Sequence, residues 1–348
     1  MNETDRVATI KDVAELSRVS LATVSRVING GKGVRPALCE KVNQAIAQLG
    51  YNPNRAAQTL AGRKTGSIGI VVNNLHDPFF YDLLRGFEDG AQETKYNVVF
   101  CSVSGNDAEG KAKYVKYLTN GVVDAVVLYG SYHSDEHLVN YLQNETTCDY
   151  VIIENDLPEL NCNELLIDNL GGARQAVEFL HGKGHEKIAH ICGNPNKKVT
   201  IDRMNGYLNT MHSLRLMIEP SYIQNTSSNY RSGYECMRRL MALEERPTAV
   251  FCSDDAIASF AVRAALDMGL SIPGDVSVMG FDNQAILPDK YRGPEITTVE
   301  QPLYIIGRDS VRLLTERLET KGEAELLKKT YPTRVIIKET VGAPAALK

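Results

Sequence analysis

The sequence lacks the features of a membrane or exported protein. No apolar run approaches the roughly 18–20 residues that a spanning helix needs. The first six residues are polar and contain no apolar stretch typical of a secretory signal. The seven cysteines include no C-x-x-C pair, which argues against a disulfide framework or a zinc site. We therefore expect a cytoplasmic protein, associated with the nucleoid when bound to DNA, with reduced thiols and no membrane partner.

Catalytic motifs are also missing. The chain has no G-x-S-x-G elbow, no H-E-x-x-H pair and no Walker phosphate loop. His181 and His185 have the spacing of a helical metal pair, but Gly182 and Gly184 interrupt that helix and no third ligand is evident. We predict neither an enzyme nor a bound cofactor or metal.

Charge is divided unequally along the chain. Residues 1–64 carry ten Lys/Arg and five Asp/Glu, whereas the remainder carries 28 basic and 38 acidic residues. A basic module of net charge +5 thus precedes a body of net charge −10. Such a module is typical of nucleic-acid binding, but it is also within the ordinary variation of protein surfaces. Charge alone leaves both interpretations open.

The basic module has the pattern of three short helices. Thr9 and Asp12 form a capping box, and Ser20 caps a second helix in which Val19 and Val24 are spaced as a hydrophobic staple. The third helix begins at Pro36 and ends at Gly50. The predicted inner faces are Ile10, Val13, Ala14 and Leu16 in the first helix, Val24, Val27 and Ile28 in the second, and Leu38, Val42, Ala45, Ile46 and Leu49 in the third.

The outer face of the second helix is small and polar. It carries Leu21, Ala22, Ser25, Arg26 and Asn29. Two short helices joined by a tight turn are typical of a helix-turn-helix, whose second helix enters a major groove about 12 Å wide. Arg26 would then reach a guanine edge. The alternative is a plain three-helix bundle with Arg26 in solvent.

Two motifs in the module resemble a known family. Thr9–Ala14 with Val19–Asn29 resembles the N-terminal signature of LacI/GalR-type transcriptional repressors, and Leu49–Ala57 followed by Leu60 resembles their hinge. The resemblance implies that Leu21, Ala22 and Arg26 read bases and that Asn54, Ala57 and Leu60 bind the minor groove, with Leu60 as a wedge. The other DNA-contacting positions that it implies are Ser20, Thr23, Ser25, Asn29 and Arg55.

The hinge and the third helix carry two further expectations. Residues 54 to 61 make about two helical turns, which is too short for a stable isolated helix, so they should fold only with DNA and a second copy. Arg35 stands where the family has Ser or Thr, which predicts a weaker cap.

The acidic body alternates apolar strands and helices, the pattern of parallel sheets covered on both faces. We predict an α/β fold: an N-terminal all-α helix-turn-helix domain followed by two doubly wound lobes, resembling a type I periplasmic-binding-protein fold with three crossovers. The predicted strands are Ser67–Val72, Val98–Val103, Ala125–Tyr129, Tyr150–Ile153, Leu165–Ile167, Lys187–Cys192, Thr248–Cys252 and Val276–Gly280. The predicted domains are residues 1–52 for DNA binding, 53–64 for the hinge, and 65–340 for effector binding and dimerisation. Within that body, lobe one takes 65–163 and 296–324, and lobe two takes 164–295 and 325–340.

Polar groups follow these strands where ligands bind in open α/β sheets. Amides, carboxylates and two aromatic residues suit a sugar better than a phosphate. The resemblance assigns the effector to Asp77, Phe79, Phe80, Glu154, Arg203, Asp254 and Asp282. Glu154 replaces the family's usual Asp and should narrow the pocket. For Asp77 and Asp255, capping of the next helix is an equally good interpretation.

The first hypothesis is therefore a homodimeric repressor that binds a pseudo-palindromic operator and responds to a sugar between its lobes. A second hypothesis replaces the sugar with a protein corepressor, a phosphocarrier protein, which would dock on Arg308 and Arg312 as in catabolite-control regulators of this family. A third is a sugar carrier or enzyme without a DNA function. The intact helix-turn-helix argues against the third.

Overall fold

The computed structural model describes residues 8–28, 33–52, 64–104, 107–130, 132–155, 162–226, 229–285, 287, 290–320 and 325–345. The chain forms two compact units that divide between Thr65 and Gly66. No helix among these residues is both long and apolar enough to cross a membrane.

The first unit contains three helices, α1 Ile10–Ser17, α2 Leu21–Ile28 and α3 Pro36–Leu49. The predicted capping box is present, since Asp12 accepts from the backbone N–H of Thr9 at 2.7 Å and the Thr9 hydroxyl accepts in return from the Asp12 backbone. Val13, Val24 and Val42 are fully buried and form the centre of the core. Gly50 ends α3 in the left-handed conformation, with φ 57°.

One detail of this unit differs from the sequence prediction, the inner face of α1, and another agrees with it, the start of α3. Leu16 is 42% exposed, and Ser17 is buried instead, donating its hydroxyl to the Val13 carbonyl at 2.6 Å. Leu16 and Ser17 lie three and four residues after the buried Val13, and both spacings fit an inner helix face, but the register of α1 buries the serine. Arg35 occupies the cap position of α3 without a side-chain hydrogen bond, which confirms the weaker cap.

The second unit has two lobes. The helices are α4 Tyr81–Thr94, α5 Ala108–Thr119, α6 Glu136–Asn144, α7 Asn169–Gly182, α8 Lys198–Ser213, α9 Ser232–Met241, α10 Asp255–Asp267 and α11 Leu303–Glu319. The strands are β1 Ser67–Val72, β2 Asn97–Ser102, β3 Ala125–Tyr129, β4 Asp149–Ile153, β5 Asn163–Ile167, β6 Ile188–Cys192, β7 Ile223–Asn225, β8 Ala249–Cys252, β9 Ser277–Met279, β10 Thr298–Glu300, β11 Lys328–Tyr331 and β12 Arg334–Ile336.

Each lobe is built on a parallel sheet. Lobe one has the order β11-β5-β4-β3-β1-β2, and lobe two has β7-β6-β8-β9. The antiparallel pair β10–β12 lies beside lobe two, where Val299 joins a fully buried cluster with Phe251 and Phe281. The inner strands β3 and β8 are apolar and fully buried because helices cover both faces, whereas the edge strand β11 carries two lysines. The fold class predicted from the sequence is confirmed.

The chain passes between the lobes three times, near Ile167–Asn169, Glu300–Leu303 and Tyr331–Arg334. The predicted lobe boundaries were wrong at each passage. Residues 164–167 and β11 were assigned to lobe two but pair in the lobe-one sheet, and β10 was assigned to lobe one but packs against lobe two. The error has a physical reason, because short strands beside a crossover carry no signal that distinguishes one sheet from the other.

Candidate functional site

The exposed face of α2 is the candidate nucleic-acid interface of the first unit. Leu21 is 45% exposed, and Ala22 and Arg26 are also exposed, while Val24 and Val27 are buried on the opposite side. The Ser20 hydroxyl accepts from the Thr23 backbone at 3.2 Å and fixes the start of the helix. The predicted outward face is thus present at Leu21, Ala22 and Arg26, whereas Thr23 and Ser25 are half-buried.

The remaining DNA-contacting predictions lie outside the described residues. They are Asn29, Asn54, Arg55, Ala57 and Leu60.

A cavity of about 420 Å³ lies between the two lobes of the second unit. Its size is within the range of small-molecule sites. The structure brings all seven effector residues predicted from the sequence to the lining of this cavity: Asp77, Phe79, Phe80, Glu154, Arg203, Asp254 and Asp282. These residues come from distant parts of the chain, from the loop after β1 to the loop after β9.

Lobe one supplies an aromatic wall to the cavity. The rings of Phe79 and Phe80 meet edge to face at 5.0 Å between centroids, and Phe80 meets Tyr129 in the same way at 5.1 Å. Phe79 remains half-buried, so its ring borders the open space. The sequence analysis missed Tyr129 as a lining residue because it is the last residue of a buried strand and resembles core.

Lobe two supplies a buried cation, Arg203, which is only 5% exposed. Its Nε donates to Asn169 Oδ1 at 2.9 Å, and one Nη donates to the Ser253 carbonyl at 2.5 Å. The same Nη lies 3.1 Å from Asp282 Oδ1, and the guanidinium stacks 3.7 Å from the centroid of the Phe281 ring. Among the described residues none accepts a hydrogen bond from the second Nη, which remains a donor for a ligand.

Asp282 completes this polar wall. Arg203 and the side-chain amide of Gln301 both contact its Oδ1, and no described residue donates a hydrogen bond to Oδ2. Burial raises the pKa of this carboxyl well above its ordinary value, against the opposing effect of Arg203. Asp282 also has a φ of 111°, a strained conformation that clusters at binding sites. A free acceptor oxygen therefore lies beside a free arginine donor.

Glu154 lies behind the polar wall rather than projecting alone into the cavity. It accepts from the Ile167 backbone at 3.0 Å and from the Asn169 amide at 3.2 Å. Burial raises the pKa of Glu154 to about 7, while Arg203 opposes the shift. Asn169, which the sequence analysis missed, joins Glu154 to Arg203 and so orients both.

Three aspartates near the cavity have different roles. Asp77 accepts from the Phe79 backbone at 3.0 Å, and Asp254 caps α10 by accepting from the Ile257 backbone at 2.7 Å. Asp255, for which the sequence left capping open beside a ligand role, is no cap. It is buried, and it accepts from the Thr298 hydroxyl at 2.7 Å and the Gln284 backbone at 2.9 Å. The sequence did not show which of the two adjacent aspartates would precede the helix.

The described residues contain no cluster of three side chains suited to a metal ion. The ring nitrogens of His185 face Thr248 at 2.9 Å, Ser277 at 3.1 Å and the Gly342 carbonyl at 3.0 Å. This histidine is therefore a structural link within lobe two.

Comparison with known proteins agrees with a helical unit that exposes one face of α2 and with a ligand-sized cavity in the second unit. Residues 9–54 match the bacterial regulatory proteins of the lacI family, and residues 177–341 match the periplasmic binding protein-like domain. The ribose operon repressor of Haemophilus influenzae is 32% identical over 317 residues, covering 91% of this chain and 94% of that protein. The HTH-type transcriptional repressor PurR of Haemophilus influenzae is 33% identical, covering 91% and 93%.

Solved structures extend the similarity to the whole fold. A Lac repressor dimer bound to operator and the anti-inducer ONPF is 25% identical with a TM-score of 0.82, covering 97% of this chain and all of that one. The transcriptional regulator CelR in complex with cellobiose is 29% identical with a TM-score of 0.71, covering 96% and 100%. The two units thus define a DNA-binding transcriptional regulator with an effector-binding body, and not an enzyme. The chain belongs to the LacI family.

Proposed function

We propose that this repressor responds to a sugar bound between its lobes. The observation that carries the proposal is the free Nη of Arg203 beside the free Oδ2 of Asp282, with the ring of Phe79 also lining the cavity. A donor and an acceptor side by side match neighbouring hydroxyl groups, and a ring face matches the C–H face of a pyranose or furanose. The ribose and cellobiose named for the similar proteins belong to this chemical class.

The sugar would act by shifting the balance between two arrangements of the lobes. A ligand changes such a balance only through different affinities for the two states. We propose a homodimer that presents two α2 helices to a pseudo-palindromic operator, with hinge contacts from Asn54, Arg55, Ala57 and Leu60. Ser20, Thr23, Ser25 and Asn29 would hold phosphates. A regulator that binds the chromosome in this way works in the cytoplasm.

A thermal-shift screen followed by calorimetry tests the effector class. The panel contains D-ribose, D-glucose and cellobiose, with adenine and guanine as flat heterocycles that would use only the aromatic wall. We expect a sugar to raise the melting temperature and to change operator affinity measured by fluorescence anisotropy. Binding of a purine base with no response to any sugar in an extended panel would reject the sugar proposal.

DNA recognition is tested with fragments selected from genomic DNA. Arg26→Ala should weaken binding to the selected operator by about 10-fold or more while random DNA is affected much less, because one bidentate base contact contributes about 1–3 kcal/mol of discrimination. Lys41→Ala, which removes one charge from an exposed position of α3, is the matched control. Equal losses on operator and random DNA for Arg26→Ala would contradict its role as a base reader.

Among the described residues, no structural feature favours the protein-corepressor alternative. Arg308, its main candidate contact, forms an ion pair with Glu93 at 2.7 Å, and Arg312 lies 4.0 Å from the same carboxylate. Both arginines thus already have an acidic partner on α4.

A further inference from the structure

The two lobes touch at a place separate from the three chain crossovers. Tyr132, which follows β3 in lobe one, forms an antiparallel bridge with Lys197, which precedes α8 in lobe two. The backbone N–H of His133 donates to the Asn196 carbonyl at 3.2 Å. The crossovers are covalent and permanent, whereas this contact is non-covalent and can open.

Side chains reinforce the backbone contact. The Lys197 ammonium lies 5.6 Å from the centroid of the Tyr132 ring, within the range of a cation–π interaction. Lys197 forms no ion pair with any described residue, although the nearby Asp254 carboxylate in lobe two also attracts its ammonium. Both side chains also line the cavity between the lobes. The contact is therefore part of the cavity wall.

A buried ion pair holds the lobe-one side of this contact. Lys111 on α5 is 1% exposed, and its ammonium lies 2.7 Å from Asp135 Oδ2 and 3.2 Å from the Tyr129 carbonyl. The same Asp135 oxygen accepts from the Tyr132 backbone at 3.2 Å, and the Lys111 ammonium lies 5.7 Å from the Tyr132 ring. The ion pair thus fixes both the backbone and the ring of Tyr132.

Stability alone is a poor explanation for this ion pair. Removing two charges from water costs more than their attraction returns unless the geometry satisfies every polar atom, and Asp135 Oδ1 is buried without a partner among the described residues. The pair does not line the cavity, so it does not serve the ligand directly. Its contacts lead to Tyr132 and, through Tyr132, to the other lobe.

We propose that Tyr132–His133 and Asn196–Lys197 form an interlobe clasp that holds the two lobes together in the absence of ligand, and that the Lys111–Asp135 pair is its positioning element. The importance of the clasp for the effector depends on the function proposed above. A ligand in the cavity contacts both sides of the clasp and so favours its closed form, since occupancy adds contacts that exist only when the lobes are closed. Weakening the clasp lowers the fraction of molecules whose lobes are closed around the cavity, and the apparent affinity for the effector falls by the same factor.

Hydrogen exchange of the full-length protein without any ligand tests the clasp directly. The amide of His133 reports the interlobe hydrogen bond, whereas the amide of Gly130, bonded to the Ile153 carbonyl at 3.0 Å within lobe one, is an internal reference. Lys197→Met keeps the length of the side chain but removes its charge. We expect the His133 amide to exchange at least about two- to fivefold faster, the effect of losing a cation–π contact between the buried Tyr132 ring and the half-buried Lys197, while the Gly130 amide is unchanged.

Lys116→Met is the matched control, because the Lys116 ammonium lies 5.4 Å from the Tyr141 ring within lobe one. It should leave the exchange of His133 unchanged. The double substitution Lys111→Met with Asp135→Asn removes the positioning pair without leaving a lone buried charge, and it should also accelerate His133. Thermal melting shows whether this variant is folded, and Lys197→Met remains decisive if it is not.

Two results would overturn the clasp. One is an unprotected His133 amide in the unchanged protein, which would mean that the lobes do not meet there in solution. The other is equal His133 exchange in Lys197→Met and Lys116→Met, which would mean that the ammonium does not hold the contact. Neither result depends on a sugar, so failure of the clasp and failure of the sugar proposal are separate outcomes.

Discussion

The two walls of the cavity are built from different chemistry. Lobe one presents the rings of Phe79, Phe80 and Tyr129, packed edge to face. Lobe two presents Arg203 and Asp282, a buried pair that retains one free donor and one free acceptor. The rings of lobe one provide apolar contact beside polar lining residues such as Asn73 and Asp77, whereas the Arg203–Asp282 pair of lobe two provides directional hydrogen-bonding groups.

The difference indicates how affinity and selectivity divide between the lobes. Apolar contact is non-directional, so the aromatic wall binds many ligands of similar shape with similar free energy. When buried polar groups hydrogen-bond a ligand hydroxyl, a ligand without that hydroxyl leaves them unpaired. The site then discriminates strongly between the two ligands. We therefore expect both lobes to contribute to sugar affinity, and we expect the polar pair of lobe two to determine the selectivity between sugars.

The largest expected effect comes from breaking the polar wall. Arg203→Met leaves the buried Asp282 carboxylate without its cation, which should cost about 3–5 kcal/mol of folding free energy. The double substitution with Asp282→Asn removes both charges and should recover most of that stability. Sugar affinity, measured by calorimetry, should fall about 100-fold or more in both variants because the hydrogen-bonding pair is gone. Operator binding by the folded variants should persist.

The control for this prediction is Arg317→Met, which breaks a partly buried ion pair with Asp149 at 3.0 Å in lobe one. It should reduce stability without changing sugar affinity. Undiminished sugar binding by the stable double variant would remove Arg203 and Asp282 from the effector site.

A second prediction concerns the pH dependence of the network behind the polar wall. The folded pKa of Glu154 is about 7, above its ordinary value of 4.5, so the folded state binds this proton more tightly than the unfolded chain. Its stabilising contribution is complete below about pH 4.5 and is lost as the pH rises through 7. At 1.36 kcal/mol per unit this amounts to about 3 kcal/mol.

Glu154→Gln should flatten this part of the stability curve. Urea unfolding at a series of pH values measures the effect. Asp255, whose pKa burial raises to about 7, supplies part of the slope that remains, together with Asp254 and Asp282, whose pKa values burial also raises. An identical slope in the variant and the unchanged protein would show that Glu154 does not titrate in this range.

Sequence alone predicted the elements that depend on local patterns. The strands Ser67–Val72 and Ala125–Tyr129 were predicted with their observed bounds, because a short continuous apolar run between two helices is typical of a buried parallel strand. The predicted Thr9 cap is also present. The strands β7, β10, β11 and β12 were missed, since three or four residues that include charged or amide side chains carry no such pattern.

Local sequence patterns could not predict the hydrogen-bond network around the cavity. Asn169 lies 34 positions from Arg203 in the chain, and only the packing of α7 against α8 brings the two side chains together. Tyr132 and Lys197 meet across two lobes, with no spacing to suggest it. Family resemblance supplied the individual lining residues, but hydrogen bonding decides which of their oxygens and nitrogens remain free.

The smallest expected effect tests the aromatic wall. Phe79→Leu keeps an apolar side chain but removes the ring face, and it should weaken sugar binding by about two- to tenfold, the range of an aromatic contact. Phe100→Leu, at a half-buried ring that packs against the lobe-one core outside the cavity, is the control and should leave binding unchanged.

Calorimetry with two sugars that differ at one hydroxyl separates affinity from selectivity. The Phe79 variant should bind both sugars more weakly by the same factor, since its contact is non-directional. If the Phe79 variant changed the affinity ratio of the two sugars as much as the double substitution Arg203→Met with Asp282→Asn, both walls would determine selectivity.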